Sequence, residues 1–154
     1  MTSDFFDYDG KPAELRNGPR TLFSRFHDGD WKTITEFGAI LRYPGGATVF
    51  TSEATEASMF FLTTGTLKLQ ASNPGAFESA SVELGPGSVF GLLSFLDGKP
   101  RGARAVAQTS IETIMLEKAM FERLAAWHPR IALVILQDLA ETAALRLRQF
   151  DTLL

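Results

Sequence analysis

Gly85-Pro-Gly-Ser-Val-Phe-Gly91-Leu-Leu-Ser-Phe-Leu-Asp-Gly-Lys-Pro-Arg101-Gly-Ala103 reads as a strand, a short helical turn and a loop that delivers an arginine. Gly91 tolerates backbone angles that other residues resist, and it lets the chain pass close to a neighbour. The N–H groups that open the turn at Leu92 to Phe95 are expected to face outward, and Arg101 adds a rigid, planar positive fork. Together these features can cradle a phosphate.

On both sides of this stretch, from Gly38 to Glu117, short runs of Val, Ile, Phe and Thr alternate with turn residues, the pattern of an all-β domain. The expected strands are Ala39–Tyr43, Thr48–Thr51, Met59–Thr63, Thr66–Ser72, Ala80–Leu84, Ser88–Phe90, Arg104–Thr109 and Thr113–Glu117. Pro44-Gly45-Gly46, Gly65, Asn73-Pro74-Gly75 and Gly85-Pro86-Gly87 punctuate them. Leu67 and Leu69 alternate with Lys68 and Gln70, so the leucines should point inward. This density of short strands implies a jelly-roll-like barrel or sandwich. Residues 1–28 read as an irregular arm that pins aromatics to the body, and residues 29–154 form the domain. Between Asp30 and Phe37, Trp31, Ile34 and Phe37 recur at helical spacing, whereas Thr33 and Thr35 equally suit a strand. Asp28 or Asp30 would cap a helix there.

Beyond Glu117 the apolar period becomes helical. A short helix, Ala119–Ala126, is followed by His128-Pro129 and a long helix over about 130–150, with Pro129 suited to its first turn. The long helix carries two apolar stripes. One holds Ile131, Ile135, Leu139 and Leu145. The other holds Leu133, Leu136, Ala140, Ala143, Leu147, Phe150 and Leu154 at spacings of three and four. A surface helix needs one apolar face. The second therefore implies another partner, most simply the same helix of a second copy in a homodimer. The alternative is cover from the aromatic N-terminal arm.

Composition narrows the function. The chain has 154 residues, no cysteine and a net charge of −3. It is sized for one domain, excludes disulfides and thiol chemistry, and shows no polybasic coat for nucleic acid. The acidic start, Met1-Thr-Ser-Asp-Phe-Phe-Asp7, is unlike a secretory signal. Ile131–Leu136 is too short an apolar window to span a bilayer, so a cytoplasmic protein is expected. His27 and His128 stand alone, with no histidine in residues 28–127. Neither a metal site nor a metal-dependent jelly-roll enzyme is therefore expected. Ser88, Ser94 and Thr109 lack a recognisable base partner, and no phosphate-binding loop with a Gly-Lys-Ser/Thr end occurs. No catalytic residue is assigned.

In its ordered parts the chain resembles the cyclic-nucleotide-binding domain family. Leu41-Arg-Tyr-Pro-Gly45, Phe50 and Phe60-Phe-Leu-Thr-Thr-Gly65-Thr-Leu-Lys-Leu69 are similar to its opening hairpins. Gly87-Ser-Val-Phe-Gly91-Leu-Leu-Ser-Phe-Leu96 and Pro100-Arg101-Gly-Ala103 are similar to its phosphate-binding cassette. The short helix, proline and long helix complete the match. The resemblance implies a mainly β fold, a β-roll followed by a short and a long helix. It also implies a ligand site at Phe90, Gly91, Leu92, Leu93, Arg101, Gly102, Ala103 and Arg146. In the family pattern a glutamate follows the glycine and accepts the ribose 2′-hydroxyl, and the arginine pairs with the cyclic phosphate. Gly91, Arg101 and Ala103 match, but Leu92 replaces the glutamate and cannot accept a hydrogen bond. Glu53-Ala54 stands where Glu-Gly is usual, so that turn should differ. Arg146 could reach an anion, fill the pocket or point to water, and the helix-end position favours water.

The expectation is a non-enzymatic sensor with no required cofactor. It would take cyclic AMP, cyclic GMP or a related anion and signal through its terminal helix to a dimer mate or a protein partner in trans. With no recognition helix after Leu154, direct DNA binding is not expected. Two bland readings stand beside this one. Arg101, in a positive cluster with Lys99 and Arg104, could be a surface arginine beside Asp97. Alternatively, Leu92, Leu93 and Phe95 could plug the pocket, leaving a ligand-free dimerisation scaffold.

Overall fold

The computed structural model describes residues 25–71 and 81–150. The arm before residue 25, the turn at Asn73–Gly75, Leu154 and the side chain of Phe150 lie outside them. Helix α1 (Asp28–Phe37) leads into β1 (Ala39–Tyr43), β2 (Thr48–Phe50), β3 (Ser58–Thr64), β4 (Leu67–Ala71), β5 (Ser81–Leu84) and β6 (Val89–Phe90). A short α2 (Leu92–Asp97) precedes β7 (Ala103–Ala107) and β8 (Ile111–Glu117). Two helices, α3 (Lys118–Trp127) and α4 (Pro129–Phe150), follow.

The strands form two antiparallel four-stranded sheets, ordered β1-β8-β3-β6 and β2-β7-β4-β5. β3 and β8 are buried on both faces, as nearly continuous apolar strands must be. Phe60 pairs with Met115, and both face the second sheet with Phe50, Leu62, Leu67 and Phe90. Phe61 pairs with Ile114, and both face the helices with Trp31, Phe121, Leu124 and Ile135. The molecule is thus three layers, helix on sheet on sheet, with one apolar seam on each side of the central sheet.

At Asp30–Phe37 the helix prevails over the strand, because Trp31 and Ile34, one turn apart, bury together against that seam. His27, rather than either aspartate, is its N-cap, and the Asp30 carboxylate accepts the His27 backbone N–H at 3.0 Å. On α4, Ile131, Ile135 and Leu139 are buried, as one stripe requires, while Leu145 is half-buried. Leu133 and Leu147 stay 65% and 53% exposed, Leu136 42%, and Ala140 is exposed too. Ala143 departs from that stripe by packing against the helix-facing core.

Candidate functional site

The loop between α2 and β7 turns Arg101 inward. Its backbone N–H donates to Ala54 O and that of Gly102 to Ser52 O, both at 2.9 Å, which straps the loop to residues 52–54. Ala54 keeps negative φ. The Arg101 side chain is only 6% exposed. Nη1 donates to Ser58 O at 2.6 Å and to Gly91 O at 2.7 Å, and Nη2 to Ser58 Oγ at 2.9 Å. The guanidinium lies 4.6 Å from the Phe50 ring centre and 5.8 Å from that of Phe60, within cation–π range. The surface-arginine reading is thereby corrected. The expected positive cluster also disperses: Arg104 stays outside on its sheet, bonded to Thr48 Oγ1 at 3.0 Å.

Gly91 makes this clasp possible. Its φ is +75°, and a β-carbon there would come within 2.6 Å of Arg101 Nη1 and 3.2 Å of Ser58 O. Only glycine meets both demands. The expected row of outward amides is shortened, because the Phe95 N–H turns back to Gly91 O at 3.4 Å.

Arg146 is corrected too. Rather than pointing to water, it reaches from α4 across to β6, donating from Nη2 to Val89 O at 3.0 Å. Burial pushes both guanidinia below the ordinary arginine value, Glu56 opposing this at Arg101. Neither arginine makes an ion pair with a carboxylate among the described residues. Both nonetheless stay charged, given how high arginine titrates.

The two arginines line one cavity of about 80 Å³. Gly91, Leu92, Leu93 and Ala103 line it as expected, and Phe50, Leu69 and Ser94 join them. Phe90 and Gly102 do not. Phe90 stacks on Phe60 at 4.9 Å inside the roll, and Gly102 serves the strap. Phe95 belongs to the helix-facing core and Leu93 is 58% exposed, so the cavity is narrowed by Leu92 but not plugged by all three. Two buried polar atoms at this site have no partner among the described residues, Arg101 Nε and Ser94 Oγ. Each costs about 1–3 kcal/mol when left so. Ser58 and Ser94 were missed from sequence. Their only signal is a serine bordering apolar runs.

At the arginine end of this arrangement, Nη1 and Nη2 are taken up by protein acceptors and Nε is enclosed without a partner among the described residues. A ribose hydroxyl does not fit the Leu92 end, since that side chain is 1% exposed and apolar. No group of acidic residues or histidines able to hold a metal occurs among the described residues, and none of their helices is long and apolar enough to cross a membrane.

Known proteins share this construction. The Thermus thermophilus catabolite activator protein superposes with a TM-score of 0.72 at 25% identity, covering 86% of this chain and 61% of its own. A cyclic nucleotide-binding domain from Methylobacillus flagellatus superposes with a TM-score of 0.74 at 19% identity, covering 96% and 79%. In sequence, a cyclic nucleotide-gated potassium channel of Mesorhizobium japonicum is 34% identical over 89 residues, 58% of this chain and 23% of the channel. The cyclic AMP receptor protein of Thermus thermophilus is 31% identical over 109 residues, 71% of this chain and 49% of that protein. The chain thus spans half or less of these curated relatives. The model of the cyclic nucleotide-binding domain family matches residues 40–128, which hold every cavity-lining side chain except Arg146. With glycine, inward arginine and two-sheet roll all in the family's order, this chain belongs to the cyclic nucleotide-binding domain family.

Proposed function

We propose that the protein is a non-catalytic sensor that binds a phosphate-bearing or similar anion at Arg101 and reports occupancy through α4. The carrying observation is a buried arginine, 6% exposed, with no ion-paired carboxylate among the described residues and an unpartnered Nε–H. A buried cation that only Glu56 offsets among the described residues, and not in direct contact, is costly, and a bound anion supplies a paired counter-charge. Arg146 gives the route outward, because it ties α4 to the β6 carbonyl at the cavity's edge. An anion that draws Arg146 from Val89 O favours a different seating of α4, and the helix equilibrium shifts by that difference in affinity.

The exposed stripe of Leu133, Leu136 and Leu147 supports a homodimer through α4 as the element that reads this shift, or a protein partner bound there in trans. We place the protein in the cytoplasm, with no direct contact to nucleic acid. The three curated relatives, the channel, the receptor protein and a glutaminase of Bradyrhizobium diazoefficiens of which this chain covers 20%, differ in the rest of their chains. That fits a module whose output lies elsewhere. Calorimetry with cyclic AMP, cyclic GMP and phenyl phosphate, on the native chain and on Arg101→Ala, tests the site. Binding of at least one of them, lost in the variant, is expected. Binding that survives the substitution sinks the reading.

A further inference from the structure

We infer that the cavity between Arg101 and Arg146 selects a small oxyanion that brings hydrogen-bond acceptors and an apolar body, a carboxylate or phosphate monoester free of sugar hydroxyls. This rests on the anion site proposed at Arg101 and narrows its ligand.

The first ground is the polar inventory. Among the lining side chains only Arg101, Arg146 and Ser94 are polar, and no carboxylate or carboxamide joins them. Guanidinium groups donate and cannot accept. The nearby carbonyls of Ser58, Gly91 and Val89 already accept from the two arginines. A ligand donor such as a ribose hydroxyl therefore finds Ser94 Oγ as its one side-chain acceptor.

The second ground is what the protein leaves unmatched. Arg101 Nε and Ser94 Oγ are both buried without partners, in residues 6% and 1% exposed. Both are satisfied by an acceptor.

The third is size. The cavity's 80 Å³ is small beside the roughly 300–1,000 Å³ of most ligand pockets. It admits an anionic head of a few atoms. The rest of the ligand would lie along the apolar wall of Phe50, Leu69 and Leu92 toward exposed Leu93.

Titration of the full chain with phenyl phosphate, inorganic phosphate and cyclic AMP decides the matter. Phenyl phosphate is expected to bind tightest, by about tenfold over cyclic AMP, the equivalent of one lost hydrogen bond. Inorganic phosphate should bind more weakly for want of the apolar body. Arg146→Gln should weaken phenyl phosphate in a chain that still melts cooperatively, at a temperature lowered by the lost bond to Val89 O. Cyclic AMP binding as tightly as phenyl phosphate, or tighter, overturns this inference and leaves the anion site standing. No heat with any of the three overturns both. The ranking on the native chain holds even if the variant folds poorly.

Discussion

The site rests on contacts between residues far apart in sequence. Gly91 and Arg101 occupy one volume, in which the space a methyl would take belongs to the guanidinium. Gly91→Ala imposes a left-handed backbone on a residue with a β-carbon, which costs about 1–2 kcal/mol before any clash. For a chain of this size that lowers the melting temperature by about 2–8 °C, and the displaced Arg101 should also lose its ligand. Thermal melts with and without phenyl phosphate check both effects, and an unchanged melt with unchanged binding refutes the account. Ser58→Ala removes one acceptor from Nη2 in a buried setting, for an expected loss of about 1–3 kcal/mol, readable by urea unfolding. Gly91 and Arg101 were legible because glycine's backbone freedom and arginine's planar fork stand at matching places in the cassette pattern. Ser58 was not, because its role depends on a partner 43 positions away. Arg146 was misread for a related reason: helical position gives a direction, whereas a long flexible side chain follows whatever unpaired carbonyl lies within reach.

At the level of elements, alternation and turn residues sufficed for the strands. All eight occur where the turns bracket them, with ends shifted by a residue or two, as fraying ends do. Local pattern could not settle Asp30–Phe37, since its helix is held by Trp31 and Ile34 packing on a sheet that comes later in the chain. On α4 the two stripes separate cleanly in exposure, and their substitutions should separate too. Ile135, fully buried, should cost about 2–5 kcal/mol on truncation to Ala. Leu136→Glu with Leu147→Glu sits on the open face. It should convert a dimer to a monomer in light scattering at micromolar concentration and lower the melting temperature only by the share that association adds. A native chain that is already monomeric there removes the homodimer and leaves the stripe to a partner of another kind.

Across the whole molecule, α4 is fastened through Arg146 to β6, through Arg130 to Asp30 on α1, and through Asp138 and Glu141 to Arg25. The second fastening is one that pH can release. Burial pushes the Asp30 carboxyl upward, but the His27 N–H and the Arg130 guanidinium outweigh it, so its net shift is below the ordinary carboxylate value. A carboxyl lowered in the folded state adds stability above its unfolded value, about 3.9. That contribution fades as pH falls through the folded value, because the unfolded chain takes up the proton first. Arg130 is 58% exposed, so salt screens part of the attraction. Asp30→Asn should therefore melt below the native chain at pH 7, more so at low ionic strength, and the gap should close as pH drops from about 4 toward 3. A gap that holds constant to pH 3 would show that Asp30 acts through shape and neutral hydrogen bonds alone, and that its charge does not help to hold α4.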